Sequence, residues 1–231
     1  MTVEWATVQK PPPLAPDAVH IWFAQLALEA PEVFQSDLSP EEIARANRFL
    51  DTNARRAYIC SHGLLRHLIA AYCRIHPGDV KFLTASGGKP ALQGTNLRFS
   101  LSHSGDVALL AFALNTEIGV DIERVDSNAV DLATAELVFT PEELHSLREY
   151  EPCERAVAFF AGWTRKEAYG KCRGTGLNDL KHIQTGLSEQ IASVDGITLR
   201  TFNCTEDHIG SLATRGEATS LAFLKWSRLQ T

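Results

Sequence analysis

Residues 155–173 read RAVAFFAGWTRKEAYGKCR, and residues 56–74 read RAYICSHGLLRHLIAAYCR. When the second stretch is shifted by 99 positions onto the first, six residues coincide: three arginines, an alanine, a glycine and a cysteine. Self-similarity at a fixed spacing indicates that one structural unit occurs more than once in a chain. The long segment around residue 165 is therefore the first indication of the fold.

Two further blocks repeat on either side of this segment. Upstream, LSPEEI (38–43) resembles FTPEEL (139–144), and downstream SLSHSGDVALLAF (100–112) resembles SLATRGEATSLAF (211–223). Three related blocks in the same order predict a duplicated unit, with the two copies meeting near residue 116.

Each copy predicts a strand, a short helix, a long helix and then further strands. The first strands are VHIWFAQLAL (19–28) and IGVDIERV (118–125), which are rich in β-branched and aromatic residues with partial alternation. Ser39 and Thr140 each precede a proline and then acidic residues, the pattern of a helix N-cap.

The long helix of the second copy is predicted from Pro152 to Arg173, with Gly174 and Gly176 ending it. The closing strands of the first copy read as a hairpin that turns near Ser104-Gly105. A matching hairpin is expected to turn near Arg215-Gly216. The predicted fold is α+β: an intramolecular pseudo-dimer of two similar α/β lobes, each a long helix packed on a mainly antiparallel sheet.

These signals divide the 231 residues into an extended, proline-rich lead-in (1–16), an N-terminal lobe (17–116) and a C-terminal lobe (117–231). A net charge of −6 argues against a general nucleic-acid binder. The longest apolar run, near residues 107–114, is too short to span a membrane. Five cysteines without CxxC spacing suit reduced thiols in a cytoplasmic protein.

Residues that differ between the copies are candidates for chemistry, because scaffold residues should be shared. Asp121 and Glu123 correspond to Trp22 and Ala24 under the shift of 99. Alternate residues of a strand point to one face, so the two carboxylates lie side by side. They fit either a solvent-facing edge or a hard cation such as Mg²⁺, which binds few protein oxygens.

Glu167 and Lys171 correspond to the apolar or aromatic Leu68 and Tyr72. Residues four apart share a helix face, so an ordinary surface salt bridge is one interpretation. Ionisable groups at a predicted lobe interface favour another, in which Glu167 is a metal ligand or general base and Lys171 a phosphate partner.

The first copy supplies candidate donors. Ser102-His103 ends a predicted strand and fits either a satisfied histidine or a phosphate donor. The SGGKP loop (86–90) contributes Gly88, Lys89 and Pro90, but it lacks the spacing of a P-loop and is also a plain turn. Arg45 and Arg48 fit a solvated helix face unless a polyanion lies nearby.

In this order, the residues closely resemble the Sfp-type 4′-phosphopantetheinyl transferases. The resemblance covers roughly residues 20–180, and the combination of GVDIE with W-x-x-K-E-A-x-x-K is its most specific part. The matching elements are GKP (88–90), SLSHS (100–104), GVDIE (119–123), FTPEEL (139–144) and WTRKEAYGKCRGTGL (163–177).

The resemblance implies a magnesium-dependent enzyme, with Mn²⁺ as the other metal, that moves the 4′-phosphopantetheine arm of coenzyme A to a carrier-protein serine. Asp121, Glu123 and Glu167 would hold the metal, with Glu167 also a base and Lys171 the partner of the leaving phosphate. The residues implied to contact coenzyme A are Arg45 or Arg48, the loop Gly88, Lys89 and Pro90, and the pair Ser102 and His103.

Two alternatives remain open. The same carboxylates would serve a Mg²⁺-dependent hydrolase of a nucleotide-like pyrophosphate, and a non-catalytic module could bind coenzyme A or carrier proteins. The carrier's pathway, whether fatty-acid, polyketide or nonribosomal peptide synthesis, is also open. Because the duplication supplies both halves of the cleft, a monomer is expected.

Overall fold

The computed structural model describes residues 2–84, 88–130, 132–175, 180–187, 191–216, 218 and 220–227. Ser86 and Gly87 of the predicted SGGKP loop lie outside the described residues, as does Gly176 of the predicted helix stop. Among the described residues, no helix is both long and apolar enough to cross a membrane.

Six α-helices, eleven strands and several short 3₁₀-helices make up the described part of the chain. The helices are α1 (Pro31–Gln35), α2 (Pro40–Ala46), α3 (Thr52–Cys73), α4 (Leu132–Val138), α5 (Pro141–Glu149) and α6 (Pro152–Arg173). The strands are β1 (Ala6–Val8), β2 (Ala18–Gln25), β3 (Phe82–Thr84), β4 (Pro90–Leu92), β5 (Leu97–Ser104), β6 (Val107–Leu114), β7 (Ile118–Arg124), β8 (Ile191–Val194), β9 (Ile197–Asn203), β10 (His208–Arg215) and β11 (Ser220–Trp226).

The strands build two main sheets with matching cores. The N-terminal sheet has the order β1-β11-β2-β6-β5, and the C-terminal sheet has the antiparallel order β7-β10-β9-β8. In each lobe the first strand pairs with the strand that ends the hairpin, β2 with β6 and β7 with β10. The long helices α3 and α6 pack on their own sheets, which confirms the predicted α+β pseudo-dimer.

The two sheets face each other through the sides that the long helices leave open. On β2, Trp22 packs with α3, whereas Ile21 and Phe23 join a second cluster with Val120 and Ile122 of β7. This shared cluster explains why β2 and β6 are apolar nearly throughout, because both of their faces are covered. The opposite face of β7 is left to meet α6.

The local signals at the helix ends are confirmed. Ser39 and Thr140 both form capping boxes, in which the side chain accepts the N3 amide and the N3 glutamate returns to the cap. Gly174 ends α6 with φ of 74°, the left-handed conformation that glycine adopts without strain.

The predicted second hairpin near Arg215-Gly216 is wrong. β10 lies in the C-terminal sheet, whereas β11 crosses over to run parallel to β2 in the N-terminal sheet. The hairpin of the second lobe is instead formed by β9 and β10. β11 leaves its own lobe because both of its faces find a core: Phe223 packs against the cluster between the sheets and Leu224 joins the α3 cluster.

The division into 1–16, 17–116 and 117–231 stays a prediction. Within it, Ala6–Val8 of the lead-in pairs with β11, so the two ends of the described chain meet in the N-terminal sheet.

In both lobes a glutamate of the capped short helix forms an ion pair with a basic residue of the long helix. In the first lobe Glu42 accepts a 2.8 Å hydrogen bond from Arg66, which also donates to carbonyls of the loop after α3. In the second, Glu143 lies 2.8 Å from the Lys166 ammonium, which donates to the carbonyls of Leu180 and Ile183. In each lobe the basic side chain of this pair therefore anchors the loop that follows the long helix.

Candidate active site

The candidate site lies where the edge strand of the N-terminal sheet packs beside the edge strand of the C-terminal sheet. β5 is the edge strand of the N-terminal sheet and β7 that of the C-terminal sheet, and side chains of β5 reach across to β7. α6 lies over the same side of β7. The structure thereby brings together five of the predicted residues: Ser102 from β5, Asp121 and Glu123 from β7, and Glu167 and Lys171 from α6.

Gly119 sets the distance between β7 and α6. A Cβ atom at this position would overlap the Ala168 carbonyl oxygen and the Cys172 amide nitrogen. Only a glycine lets the helix backbone lie directly against the strand. This close approach places Lys171, on the neighbouring turn, within reach of Asp121.

Asp121 is buried and its two oxygens have different surroundings. Oδ1 accepts hydrogen bonds of 2.6 Å from Ser102 Oγ and 2.6 Å from Lys171 Nζ. Oδ2 is buried and has no hydrogen-bond partner among the described residues. A buried carboxylate oxygen without a donor is unfavourable, so it indicates a place for a cation or a ligand.

Glu123 and Glu167 share this acidic environment. Burial and the Asp121 carboxylate raise the pKa of Glu123 to about 7, although Ser104 and Lys171 act in the opposite direction. Burial and Asp121 also raise the pKa of Glu167. Three carboxylates repel one another when ionised, and a bound cation would relieve that repulsion.

The described residues contain no ready-made group of three histidine, cysteine, aspartate or glutamate side chains that could hold a metal ion. The donor set nevertheless fits a hard cation, because Asp121 Oδ2 is buried and free and the neighbouring acids are carboxylates. The arrangement supports a site that is completed by a ligand, such as phosphate oxygens and water, and not a closed protein cage.

A cavity of about 340 Å³ adjoins the Glu167 carboxylate and is lined by both lobes. Its walls include the apolar Leu65 and Phe99 of the first lobe and the predicted residues Glu167 and Lys171 of the second. Gly88, Lys89 and Pro90 line it as well. A larger cavity of about 780 Å³ lies between Pro11–Leu14 and the end of α3, and none of the predicted site residues line it.

Two of the predicted basic residues, Lys89 and His103, differ in their surroundings. Lys89 Nζ lies 2.8 Å from Glu117 Oε2, which makes it part of an ion pair. Protein groups around the His103 ring exclude water from it, and this exclusion together with His62 and Lys171 lowers the pKa of His103.

The structure does not bring Arg45 and Arg48 to the carboxylates. Arg45 is exposed and lies 5.6 Å from the ring centre of Tyr58, which stacks on His62. These two rings separate Arg45 from the cavity, because His62 lines the cavity and Arg45 does not. Arg48 is exposed, and no contact of its side chain with the cavity is seen among the described residues.

Sequence reasoning missed three residues of this region: His62, Ser104 and Glu117. Ser104 donates a 2.8 Å hydrogen bond to Glu123, and Glu117 accepts from both Lys89 and Arg98. The SLSHS motif contained Ser104, and its spacing of two from Ser102 was the available signal, since both must share one face of β5.

Comparisons with known proteins agree with the fold and the motifs. The sequence pattern of the 4′-phosphopantetheinyl transferase superfamily matches residues 117–224, and that of the 4′-phosphopantetheinyl transferase N-terminal region matches residues 29–115. The chain is similar to the 4′-phosphopantetheinyl transferase HetI of Nostoc sp., with 37% identity over 189 residues, 78% of this chain and 79% of the relative.

Two relatives from Bacillus are similar over a shorter stretch. Identity is 29% to the 4′-phosphopantetheinyl transferase Sfp of Bacillus subtilis, over 66% of this chain and 67% of the relative. Identity is 35% to the 4′-phosphopantetheinyl transferase psf-1 of Bacillus pumilus, over 66% of this chain and 65% of the relative. With two lobes that each match their own part of the pattern, the chain belongs to the 4′-phosphopantetheinyl transferase superfamily.

Proposed function

We propose that this transferase moves the 4′-phosphopantetheine arm of coenzyme A to a serine hydroxyl of an acyl or peptidyl carrier protein and releases adenosine 3′,5′-bisphosphate. The observation that carries the proposal is the free, buried Oδ2 of Asp121, whose other oxygen binds Lys171, a lining residue of the cavity between the lobes. A polyphosphate substrate needs both a cation and a fixed positive group at one place.

In the proposed reaction the serine oxygen of the carrier bonds to the phosphorus that bears the pantetheine arm. The bond from that phosphorus to the oxygen shared with the 5′-phosphate of adenosine breaks. Glu167 takes the serine proton, directly or through a water. Its raised pKa supports this role, because a carboxylate with a higher pKa is a stronger base.

Lys171 would neutralise or protonate the leaving phosphate. Its ammonium group already lies between Ser102 Oγ, at 3.0 Å, and Asp121 Oδ1, at 2.6 Å, so its direction is fixed before substrate binds. Such preorganised charge lowers the barrier because it need not reorient during the reaction.

Asp121, Glu123 and Glu167 are the residues proposed to hold Mg²⁺ or Mn²⁺. When bound, the cation would offset negative charge on the pyrophosphate. Ser102 and His103 would contact the phosphates of coenzyme A. Lys89 would bind the 3′-phosphate only after exchanging its ion pair with Glu117.

Of the two arginines, Arg45 contacts the ring of Tyr58, which stacks on the cavity residue His62, and we propose that Arg45 is the one that meets the 3′-phosphate side. We further propose a cytoplasmic monomer, because both halves of the cavity come from one chain.

The test is the intact mass of an apo carrier protein after incubation with the enzyme, coenzyme A and Mg²⁺. We expect a gain equal to one phosphopantetheine arm, lost with EDTA and in Glu167→Gln. The matched control is Glu154→Gln, which changes an exposed glutamate of the same helix and should keep full transfer.

The other outcomes point to the alternatives. Breakdown of coenzyme A without any carrier would identify a hydrolase. Binding of coenzyme A without modification of fatty-acid, polyketide and peptide carriers would identify a binding module. Either result would overturn the proposed transfer.

A further inference from the structure

Three serines of β5 connect the two lobes in place of a backbone ladder. Ser100, Ser102 and Ser104 are two residues apart, so they share one face of the strand. Ser100 accepts a 3.0 Å hydrogen bond from the Val120 amide, whereas Ser102 and Ser104 donate to the carboxylates of Asp121 and Glu123. The first lobe therefore reaches both carboxylates of β7 through hydroxyl groups.

The direction of the hydrogen bond from Ser104 is fixed by its second partner. Ser104 Oγ accepts from the Arg124 amide at 3.2 Å, which is a donor only, and lies 2.8 Å from Glu123 Oε2. The hydroxyl proton must then point to the carboxylate. Ser102 is arranged in the same way, accepting from Lys171 and donating to Asp121.

Each serine bonds to only one of the two oxygens of its carboxylate. In Asp121, Oδ1 binds Ser102 and Lys171, and Oδ2 has no partner among the described residues. In Glu123, Oε2 binds Ser104, and no described hydrogen bond reaches Oε1. In each carboxylate, hydrogen bonds fix the position of one oxygen, and the second oxygen is left for a cation or a ligand.

The charges around Glu123 do not hold it in place. Asp121 and Glu167 repel its ionised form, and Lys171, the cation that acts on it, bonds to Asp121. Ser104 is thus the described group that donates to the Glu123 carboxylate. Without this hydroxyl, repulsion would favour rotation of Glu123 away from Asp121.

We infer that Ser104 is a positioning residue, which orients Glu123 so that docking of the first lobe on the second completes the divalent-cation site. This inference rests on the proposed function, because it takes Glu123 as a metal ligand. Groups that orient metal ligands typically change metal affinity by 10–100-fold when they are removed.

The experiment measures Mn²⁺ binding to the full chain by electron paramagnetic resonance, without coenzyme A or carrier. We expect Ser104→Ala to raise the Kd for Mn²⁺ by about 10-fold or more. Ser104→Thr, which keeps the hydroxyl, should restore wild-type affinity. Ser100→Ala is the matched control, because it removes a hydrogen bond between the same strands without touching a carboxylate.

The outcomes separate this inference from the proposed function. If wild type binds Mn²⁺ and Ser104→Ala binds it equally well, Ser104 has no positioning role and the proposed reaction still stands. If Ser100→Ala weakens binding as much as Ser104→Ala, the serines only hold the lobes together, which also overturns the inference. If wild type binds no Mn²⁺, either alone or after coenzyme A is added to supply phosphate oxygens, the metal assignment fails and the inference fails with it.

Discussion

Lys171 Nζ lies 2.6 Å from Asp121 Oδ1, and these two residues come from different elements 50 positions apart in the chain. In the first copy the position of Lys171 is held by Tyr72, whose hydroxyl lies 2.7 Å from His20 Nδ1 and accepts from Trp22 Nε1 at 3.0 Å. At this position the N-terminal lobe has a neutral hydrogen-bonded cluster. The C-terminal lobe has an ion pair, and its lysine lines the cavity.

Replacement of Asp121 by asparagine should abolish activity without unfolding the protein. The change keeps the shape of the side chain. It removes the negative charge that Oδ1 shares with Lys171, and it replaces one carboxylate oxygen by an amide NH₂ group. We expect kcat to fall by at least 100-fold, an increase in the barrier of about 3 kcal/mol. Steady-state transfer rates and a thermal melt check this; a large loss of melting temperature at normal kcat would return Asp121 to a structural role.

Gly119→Ala should move α6 and damage both fold and site. The added Cβ has no room between the strand and the helix backbone, so we expect a loss of about 1–3 kcal/mol in the free energy of unfolding. Urea denaturation measures it. Gly78→Ala is the control, because an added Cβ there meets only the His76 ring, at 3.3 Å. Equal stability of the two variants would contradict the packing argument.

The Glu143–Lys166 pair should be costly to break and cheap to replace as a unit. Both side chains are almost fully buried, so Glu143→Gln leaves an unpaired ammonium and should cost about 3–5 kcal/mol. The double variant Glu143→Gln/Lys166→Met should recover part of that loss, because no charge remains buried. A double-mutant cycle by urea denaturation tests this.

The exposed pair Arg148–Glu136 is the control for that cycle. Its coupling energy should be below about 1 kcal/mol, because solvent screens it. A similar coupling in the two pairs would contradict the role given to burial.

His20 should make the fold sensitive to mild acid. Burial lowers the pKa of His20, so the folded state resists protonation that the unfolded state accepts near its ordinary value of about 6.5. The unfolded state then binds more protons, and stability is lost as the pH falls below about 6.5. His20→Gln should flatten the dependence between pH 6.5 and 5 in urea denaturation; identical slopes would refute this.

Comparison of the two copies predicts that Asp121, Glu123, Glu167 and Lys171 stand out from the scaffold, because the matching positions of the first copy hold apolar or aromatic residues. The helix ends were also predictable, since Ser39, Thr140 and Gly174 act through their immediate neighbours. Local patterns suffice where the controlling contacts are local.

The sequence did not predict the residues and strands whose behaviour depends on distant contacts. Ser104 is a common residue type, and only the meeting of β5 and β7 gives it Glu123 as a partner. The apolar run of residues 221–224 indicates a strand but does not say which sheet accepts it. The family resemblance assigns Arg45 and Lys89 to coenzyme A, and their contacts with Tyr58 and Glu117 appear only in three dimensions.

The crossing of β11 has a consequence for how the chain can be divided. A fragment that stops at residue 116 would lack the strand that covers β2, and it would expose a long apolar edge that invites pairing with other chains. The halves of the duplication are thus no longer independent folding units. A peptide with the sequence of residues 220–226, supplied in trans, should reduce aggregation of such a fragment, as in a split-protein complementation assay.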